Sequence, residues 1–445
     1  MFRTLKPQKV YVTEDVYDDK RAVACVERMM TAVEGAEAET VSYEQLNELA
    51  PERWSQHSGN NWRWGAEPNP RDPDLVMTMG KFWPDEEKKK FRERYPNLGV
   101  RDLYGFTVKT WRQDGEMSFR ERTKGCICHS AWQLHTICGC PFRCAYCWFG
   151  GVNRILVNME EYMEHLDEIC DLGPFQRIYK WDNQTDVSCF EPEHGASKLL
   201  VEYFADKPDK YLEIYVGKSD NVDYLLPLDN KGKTIMQWSL SPRTQSTIME
   251  PETAPWDQRV EAARKCGEAG YIERFRFSPM IPVKNWKEEY AELVELIFAR
   301  TKPDVISLCA FGWMDVNLAK QCIDFDLLDP QFVAAMEADA PFIEKRGFTA
   351  GGGRPIPHDA RAYMFKVVID EIRKHSKTIP ISLCLETIEM WALFQRELGM
   401  PMNPEKKSAY YCNCGPLCTP ENPYSKGVTP GPSWFGELSE GDESK

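Results

Sequence analysis

The chain of 445 residues has no run of about eighteen apolar residues, which argues against a bilayer-spanning helix. Its opening Met1-Phe2-Arg3-Thr4-Leu5-Lys6 is not followed by the apolar stretch of a secretory signal. A cytoplasmic location without membrane contact is expected. Positive charge is also short: 55 Lys and Arg against 69 Asp and Glu leave a formal net charge of −14. The surface as a whole therefore repels a phosphate backbone, which disfavours non-specific nucleic-acid binding but leaves room for a local basic channel. The basic segments Lys88–Arg94 and Arg120–Lys124 read as solvated faces. The glycine-rich Thr349-Ala350-Gly351-Gly352-Gly353-Arg354-Pro355 lacks the lysine and hydroxyl residue of a phosphate loop. It reads as a connection or lid, from which Arg354 and His358 either reach an anionic substrate or stay at the surface. A disulfide framework is not expected despite sixteen cysteines, because the cytosol keeps thiols reduced. Clustered cysteines then point to metal. Cys25, Cys170, Cys266 and Cys322 in helical patterns, and Cys309 in a strand-like run, read as small buried hydrophobes.

What is present is concentrated in His135-Thr136-Ile137-Cys138-Gly139-Cys140-Pro141-Phe142-Arg143-Cys144-Ala145-Tyr146-Cys147-Trp148-Phe149-Gly150. Cys140, Cys144 and Cys147 form a C-x3-C-x2-C run. Three thiolates so spaced close around one corner of a cubane iron–sulfur cluster and leave one iron without a protein ligand. A structural zinc usually has four ligands in paired C-x2-C spacings. The spacing, with Tyr146 before the third cysteine, resembles that of the radical S-adenosylmethionine (SAM) superfamily. There SAM fills the open iron site and is cleaved reductively to a 5′-deoxyadenosyl radical. The resemblance implies a [4Fe-4S] cluster and SAM as cofactors, and an external electron donor such as flavodoxin or ferredoxin.

Hydrophobic periodicity predicts a small N-terminal α/β lobe with an insertion over residues 1–120, with a strand at Lys9–Val12, a helix from Asp18 to Val33 and a strand at Leu75–Met79. After the cysteine loop, Asn158 is placed to cap a helix, with Glu161 three residues on. Strands follow at Ile178–Trp181, Leu212–Val216, Ile235–Ser239, Phe275–Phe277, Val305–Leu308 and Ile381–Leu385, with helices between them. With a first strand near Leu134–Ile137, about seven strands alternate with helices. The fold class is α/β, a partial or full (β/α) TIM-type barrel of the radical SAM kind over 121–400, with functional groups at the C-terminal strand ends. Residues 401–445 form a cysteine-containing tail, weakly ordered beyond 420.

The likeness extends past the cysteine loop. Pro7–Val12, Val157–Glu161, Thr253-Ala254-Pro255 leading into Arg259–Ala263, Ala269-Gly270-Tyr271, and Ser278–Pro282 before Trp286 resemble the spore photoproduct lyase family. The resemblance implies that Tyr146, Asn183, Lys218 and Ser239 lie at the cofactor and substrate cavity. One position departs. The lyases carry a cysteine just after the second barrel strand that returns a hydrogen atom to the product radical, and Asn183 stands at the matching place. The residue after the third cysteine is also changed, to Trp148. Tyr146 and Cys384 are the candidate catalytic residues, Cys384 also reading as a packing thiol, and Glu386 would face the barrel mouth.

A second cysteine set, Cys126, Cys128, Cys412, Cys414 and Cys418, suits an auxiliary iron–sulfur cluster or a zinc. The acid surface, Asn183 and these extra cysteines favour hydrogen abstraction from a small molecule or peptide. The alternatives are lyase-like repair or modification of a nucleobase in DNA, and a non-catalytic iron–sulfur or zinc-binding module.

Overall fold

The computed structural model describes residues 2–54, 65, 72–99, 111–113, 126–127, 132–147, 149, 151–172, 177–312, 314–346, 354–384, 386–399, 402–403 and 408–409. The strands are, in chain order, β1 (Val10–Thr13), β2 (Ala38–Val41), β3 (Asp74–Thr78), β4 (Trp111–Gln113), β5 (Cys126–Ile127), β6 (Trp132–Leu134), β7 (Ile137–Cys138), β8 (Val152–Leu156), β9 (Ile178–Trp181), β10 (Tyr211–Gly217), β11 (Thr234–Leu240), β12 (Ile272–Met280), β13 (Val305–Ala310), β14 (Ile381–Leu383) and β15 (Glu386–Thr387). They form two main sheets. The smaller runs β2-β1-β3-β8-β7 and the larger β14-β13-β12-β11-β10-β9-β6-β4. In the larger sheet β6 and β9–β14 are parallel, and β4 is an antiparallel edge. This is an α/β fold with a partial barrel. No pairing closes β14 onto β4 among the described residues. No described helix is long and apolar enough to cross a membrane.

Seven parallel strands agree with the alternation read from the sequence, and the helices Trp256–Glu268, Trp286–Arg300 and His358–His375 lie where expected. Two local expectations fail. The single strand near Leu134–Ile137 is divided between sheets: Leu134 pairs with Trp181 in the larger one, and Ile137 with Ile155 in the smaller. Two buried polar residues, His135 and Thr136, make the crossing. Asn158 does not cap the helix Met159–Glu164. Its amide accepts from Gly80 N–H (2.6 Å) and donates to Gly80 C=O (3.1 Å). A buried backbone left without partners costs more than an exposed helix start, and an amide has both groups needed to satisfy it.

The larger sheet has two unlike faces, because successive side chains point to opposite sides. One set, including Trp181, Ile214, Trp238, Phe277, Leu308 and Leu383, belongs to the main core, which also takes in Leu200, Val260, Leu293 and Phe365 from the helices. The alternate set contains Lys180, Glu213, Gln237, Arg274, Ser307 and Ser382, also buried. These polar groups satisfy one another: Gln237 Nε2 donates to Glu213 (2.7 Å), Arg274 pairs with Glu213 (3.0 Å) and with Asp304, and Ser307 meets Ser382 (2.6 Å). A polar inner face largely paired in this way, with Gln237 Oε1 and Arg276 Nε still without a hydrogen-bond partner among the described residues, carries groups which an apolar core would exclude.

Candidate active site

The loop carrying Cys140, Cys144 and Cys147 joins β7 to β8, neighbouring strands of the smaller sheet, and reaches the strand-end loops of the larger one. Local geometry requires glycine at its start. Gly139 has φ +102°, and a Cβ there would lie 2.1 Å from the Val152 carbonyl oxygen. The loops after β9, β10 and β11 then grip it. Gly139 N–H donates to Gln184 C=O (3.3 Å) and Ala145 N–H to Met249 C=O (2.8 Å). The loop therefore lies over the C-terminal strand ends, where a barrel of this kind keeps its chemistry.

Cys140 and Cys144 are buried and Cys147 is partly exposed. Burial pushes the Cys140 thiol up, and the nearby Cys147 adds to it; burial likewise raises Cys144, helped by Glu250, Cys147 and Cys140 although Lys218 opposes. Cys140 and Cys144 are poor anions by themselves, and a positive metal centre reverses that balance. Among the described residues no three His, Cys, Asp or Glu side chains are grouped to hold a single metal ion. Three thiols in one loop are one ligand short of the usual structural zinc and match the three protein-held corners of a cluster with one open iron.

Glu250 is the hub beneath the loop. It accepts from Tyr146 Oη (2.5 Å), Ser241 Oγ (2.5 Å) and Gln245 Nε2 (3.3 Å), and pairs with Arg259 (2.9 Å) and Lys218 (3.7 Å). Burial alone would raise this carboxylate, but Lys218, Arg259 and the hydroxyls of Ser241 and Tyr146 together hold it below its usual range. Tyr146, in turn, lies with its ring 5.9 Å from Lys218 Nζ. Arg259 is fixed by Ala254 C=O (2.7 Å), Thr253 Oγ1 (2.7 Å), Ser239 C=O (3.2 Å) and Ser246 Oγ (3.0 Å). That network gives a physical reason for the Thr-Ala-Pro stretch and the arginine that follows it.

Asp186, in the turn after β9, accepts the backbone N–H groups of Lys218 (2.6 Å) and Ser219 (2.8 Å). Gly217 (φ +72°) allows this approach, since a Cβ there would lie 2.7 Å from Asp186 Oδ2. Burial raises Asp186 to about 7 against those hydrogen bonds. The side chain of Ser239, at the end of β11, meets Tyr215 Oη at 2.9 Å. Asn183 is partly exposed in the same β9 turn, beside Asp182, which is bound to His135 Nδ1 (3.0 Å). Lys218, Ser239, Tyr146 and Asn183 thus share the strand-end region with the cysteine loop.

Glu386 does not face the mouth as a free carboxylate. It is buried between Arg361 (2.8 Å) and Arg354 (2.9 Å), so it also ties down one of the two residues expected to reach a substrate. Cys384 does not simply pack, because Arg276 donates to its sulfur at 2.7 Å. Of the second cysteine set, Cys126 has its backbone in β5, opposite Thr387. Cys128, Cys412, Cys414 and Cys418 lie outside the described residues, as do Trp148, Arg120–Lys124, Thr349–Gly353 and the tail beyond 420. Sequence reading missed Glu250, Arg259, Asp186 and Arg276. For Arg259 and Arg276 a charged residue inside an otherwise apolar helix or strand pattern was the available signal; Glu250 and Asp186 lie in loops and carried none.

A parallel α/β partial barrel with three thiols in a strand-end loop is similar to the arrangement of the radical SAM class. The particular likeness is to the spore photoproduct lyases. The family model described as "Spore photoproduct lyase" matches residues 124–322. The spore photoproduct lyase of Bacillus subtilis (strain 168) is 29% identical over 174 residues, covering 38% of this chain and 51% of that protein. That of Clostridium acetobutylicum is 26% identical over 171 residues, covering 37% and 51%. The chain thus aligns with about half the length of the curated relatives it matches. A solved spore photoproduct lyase complexed with dinucleoside spore photoproduct has a TM-score of 0.57 at 15% identity, covering 86% of this chain and 100% of that one. A mutant with bound AdoMet and dinucleoside spore photoproduct gives 0.57 at 16% over the same shares. These matches bear out the resemblance to this family within the radical SAM enzymes, and these relatives imply the [4Fe-4S] cluster and SAM.

They also overturn the small-molecule or peptide substrate, because the relatives are photoproduct lyases and one is solved on a dinucleoside lesion. Net charge misled here because it averages the whole surface and carries no information about how charge is arranged inside one cavity.

Proposed function

We propose that the protein is a radical SAM enzyme that acts on a nucleobase photoproduct in DNA, in the manner of the spore photoproduct lyases. The observation carrying this reading is the match over 124–322, which takes in the cysteine loop and the strand ends around it. Cys140, Cys144 and Cys147 would hold the cluster, and Tyr146, Asn183, Lys218 and Ser239 would line the SAM and substrate cavity. Cluster and SAM together, once reduced by an external one-electron donor, supply a carbon radical able to abstract hydrogen.

This chain's own residues do the positioning. Glu250 fixes Tyr146 and Lys218 beside the loop, and Arg259 fixes Glu250. The polar inner face is lined with hydrogen-bonding groups suited to a base, which in duplex DNA must be extruded to reach it. Residues 1–120 serve as a lobe, 121–400 as the barrel and 401–445 as the tail, with β7 and β8 lent by the barrel segment to the lobe's sheet. We assign Cys126, Cys128, Cys412, Cys414 and Cys418 to a second metal centre, iron–sulfur or zinc.

The test is anaerobic reconstitution with iron and sulfide, followed by SAM, a one-electron reductant and dinucleoside spore photoproduct. The expected result is 5′-deoxyadenosine together with repaired dinucleoside. SAM cleavage without repair would remove the photoproduct substrate, and no cleavage at all would remove the radical SAM assignment.

A further inference from the structure

We propose that Cys384 and Cys309 form a thiol pair, anchored by Arg276, that returns the hydrogen atom to the product radical at this site. The inference rests on the function proposed above and deepens it. It answers a problem set by the sequence: an amide stands at position 183, where the lyases place their hydrogen-donating cysteine, and an amide N–H does not give up a hydrogen atom readily.

Sheet register brings the pair together. Arg276 of β12 is in register with Ser307 of β13, and Ser307 with Ser382 of β14. Two residues further along, where side chains return to the same face, stand Cys309 and Cys384. Both sulfurs therefore lie on the polar inner face, at the strand ends that hold the cysteine loop. The guanidinium of Arg276 donates to Cys384 Sγ at 2.7 Å and reaches Cys309 Sγ at 3.7 Å. Among the described residues Arg276 makes no ion pair with a carboxylate. Arg276 is partly exposed, but its Nε is buried without a hydrogen-bond partner among the described residues, and a thiolate at this place answers its charge. The pair carries one thiolate and one S–H between them: a hydrogen bond from Cys384 and the charges of Arg276 and Arg354 hold the Cys309 thiol well below the usual range, against burial, and Arg276 lies within reach of both sulfurs. Cys384, the donor of the hydrogen bond between the two, is the partner that gives up its hydrogen.

The pair adjoins the rest of the site. Ser278, which hydrogen-bonds Cys309, accepts from Lys218 Nζ at its backbone carbonyl (3.3 Å), and Lys218 faces Tyr146 of the cysteine loop. One residue therefore separates the thiols from the side chain that borders the cluster loop.

The step balances without a further reactant. The Cys384 S–H bond breaks and a C–H bond forms at the product's carbon radical, so that one hydrogen atom moves with its electron. The unpaired electron is left on Cys384 sulfur. The adjacent Cys309 thiolate shares it in a three-electron sulfur–sulfur bond, and Arg276 balances the single negative charge. A lone buried thiol would lack that stabilisation, which is why the second cysteine matters.

Two measurements on the full-length protein test this. In the metal-free protein, without turnover, the far-ultraviolet thiolate absorbance at neutral pH should be lost in Cys309→Ser and in Arg276→Met. It should be unchanged in Cys322→Ser, a helix-borne control. Equal absorbance in all four proteins would overturn the pair. The reconstituted wild type, turned over in D2O with SAM, reductant and dinucleoside spore photoproduct, should place one solvent deuterium in the repaired base. Cys384→Ala and the conservative Cys384→Ser should still release 5′-deoxyadenosine, while deuterium in repaired product falls at least tenfold. A wild type that repairs, with undiminished deuterium in both Cys384 variants, would overturn this inference alone. A wild type that repairs nothing would overturn it together with the function on which it rests.

Discussion

The two faces of the larger sheet are made by the same strands and are both largely buried, yet they do different work. Trp238 and Ser239 are neighbours on β11; the first is in the helix-packed core and the second meets Tyr215 on the inner face. The outer face is held by area removed from water, at roughly 25 cal/mol per Å2, and is indifferent to pH. The inner face gains little net energy, since each polar group trades a hydrogen bond to water for one to protein. What it gains is fixed charge at fixed positions. Burial by itself therefore says nothing about role; the partner atoms decide it.

The cysteines repeat the contrast. Cys25, in the helix Lys20–Met30, is pushed up to about 12 by burial, and Cys266, in Trp256–Glu268, is raised in the same way. Cys309, equally buried, moves in the opposite direction because it faces Arg276 and Cys384.

The sharpest test of the comparison removes function while leaving the fold. The triple variant Cys140→Ala, Cys144→Ala, Cys147→Ala should lose SAM cleavage to background while its far-ultraviolet circular dichroism stays that of the wild type. Its iron after anaerobic reconstitution then reports on the second cysteine set. About four irons remaining per chain would mean a second iron–sulfur cluster; none would leave zinc or no metal there. On the outer face Trp238→Ala should cost about 3 to 5 kcal/mol in urea unfolding.

Glu386 tests the pH sensitivity of the polar side. Burial tends to raise its carboxylate, but Arg354 and Arg361 hold it below the usual range. A depressed folded-state value gives stability that is fully present above the unfolded value, about 4.3, and lost as pH falls through the folded one. Glu386→Gln should therefore cost about 3 kcal/mol at neutral pH, because it leaves both guanidiniums without their anion. It should also flatten the acid limb of the stability curve. An unchanged acid limb would show that this pair does not govern it. Smallest of all, Ser239→Ala should cost only about 1 kcal/mol, and a loss matching Trp238→Ala would erase the distinction between the faces.

Much of this was legible in advance. Strand and helix periodicity located the seven parallel strands, because alternation and the 3.6-residue repeat are local properties of the chain. The thiol triad was legible because its spacing is itself the chemical signal. The division of Leu134–Ile137 between two sheets was not legible, since four apolar-flanked residues read alike whichever sheet takes them. Asn158 carried a cap signature and was claimed instead by Gly80, whose buried peptide no local pattern reveals. The substrate expectation failed because a summed charge has no position.

The sequence by itself determined the alternation of β9 to β14 with helices, the loop with three thiols, and the absence of a cysteine at position 183. Covalent spacing and local side-chain periodicity suffice for those. Only the tertiary structure decided that Glu250 lies under Tyr146, that β8 joins the N-terminal sheet, and that Cys309 and Cys384 meet at Arg276. Those contacts join residues far apart in sequence, Cys384 lying 108 positions after Arg276. They exist only once parallel register sets neighbouring strands side by side and burial obliges each charge to find a partner.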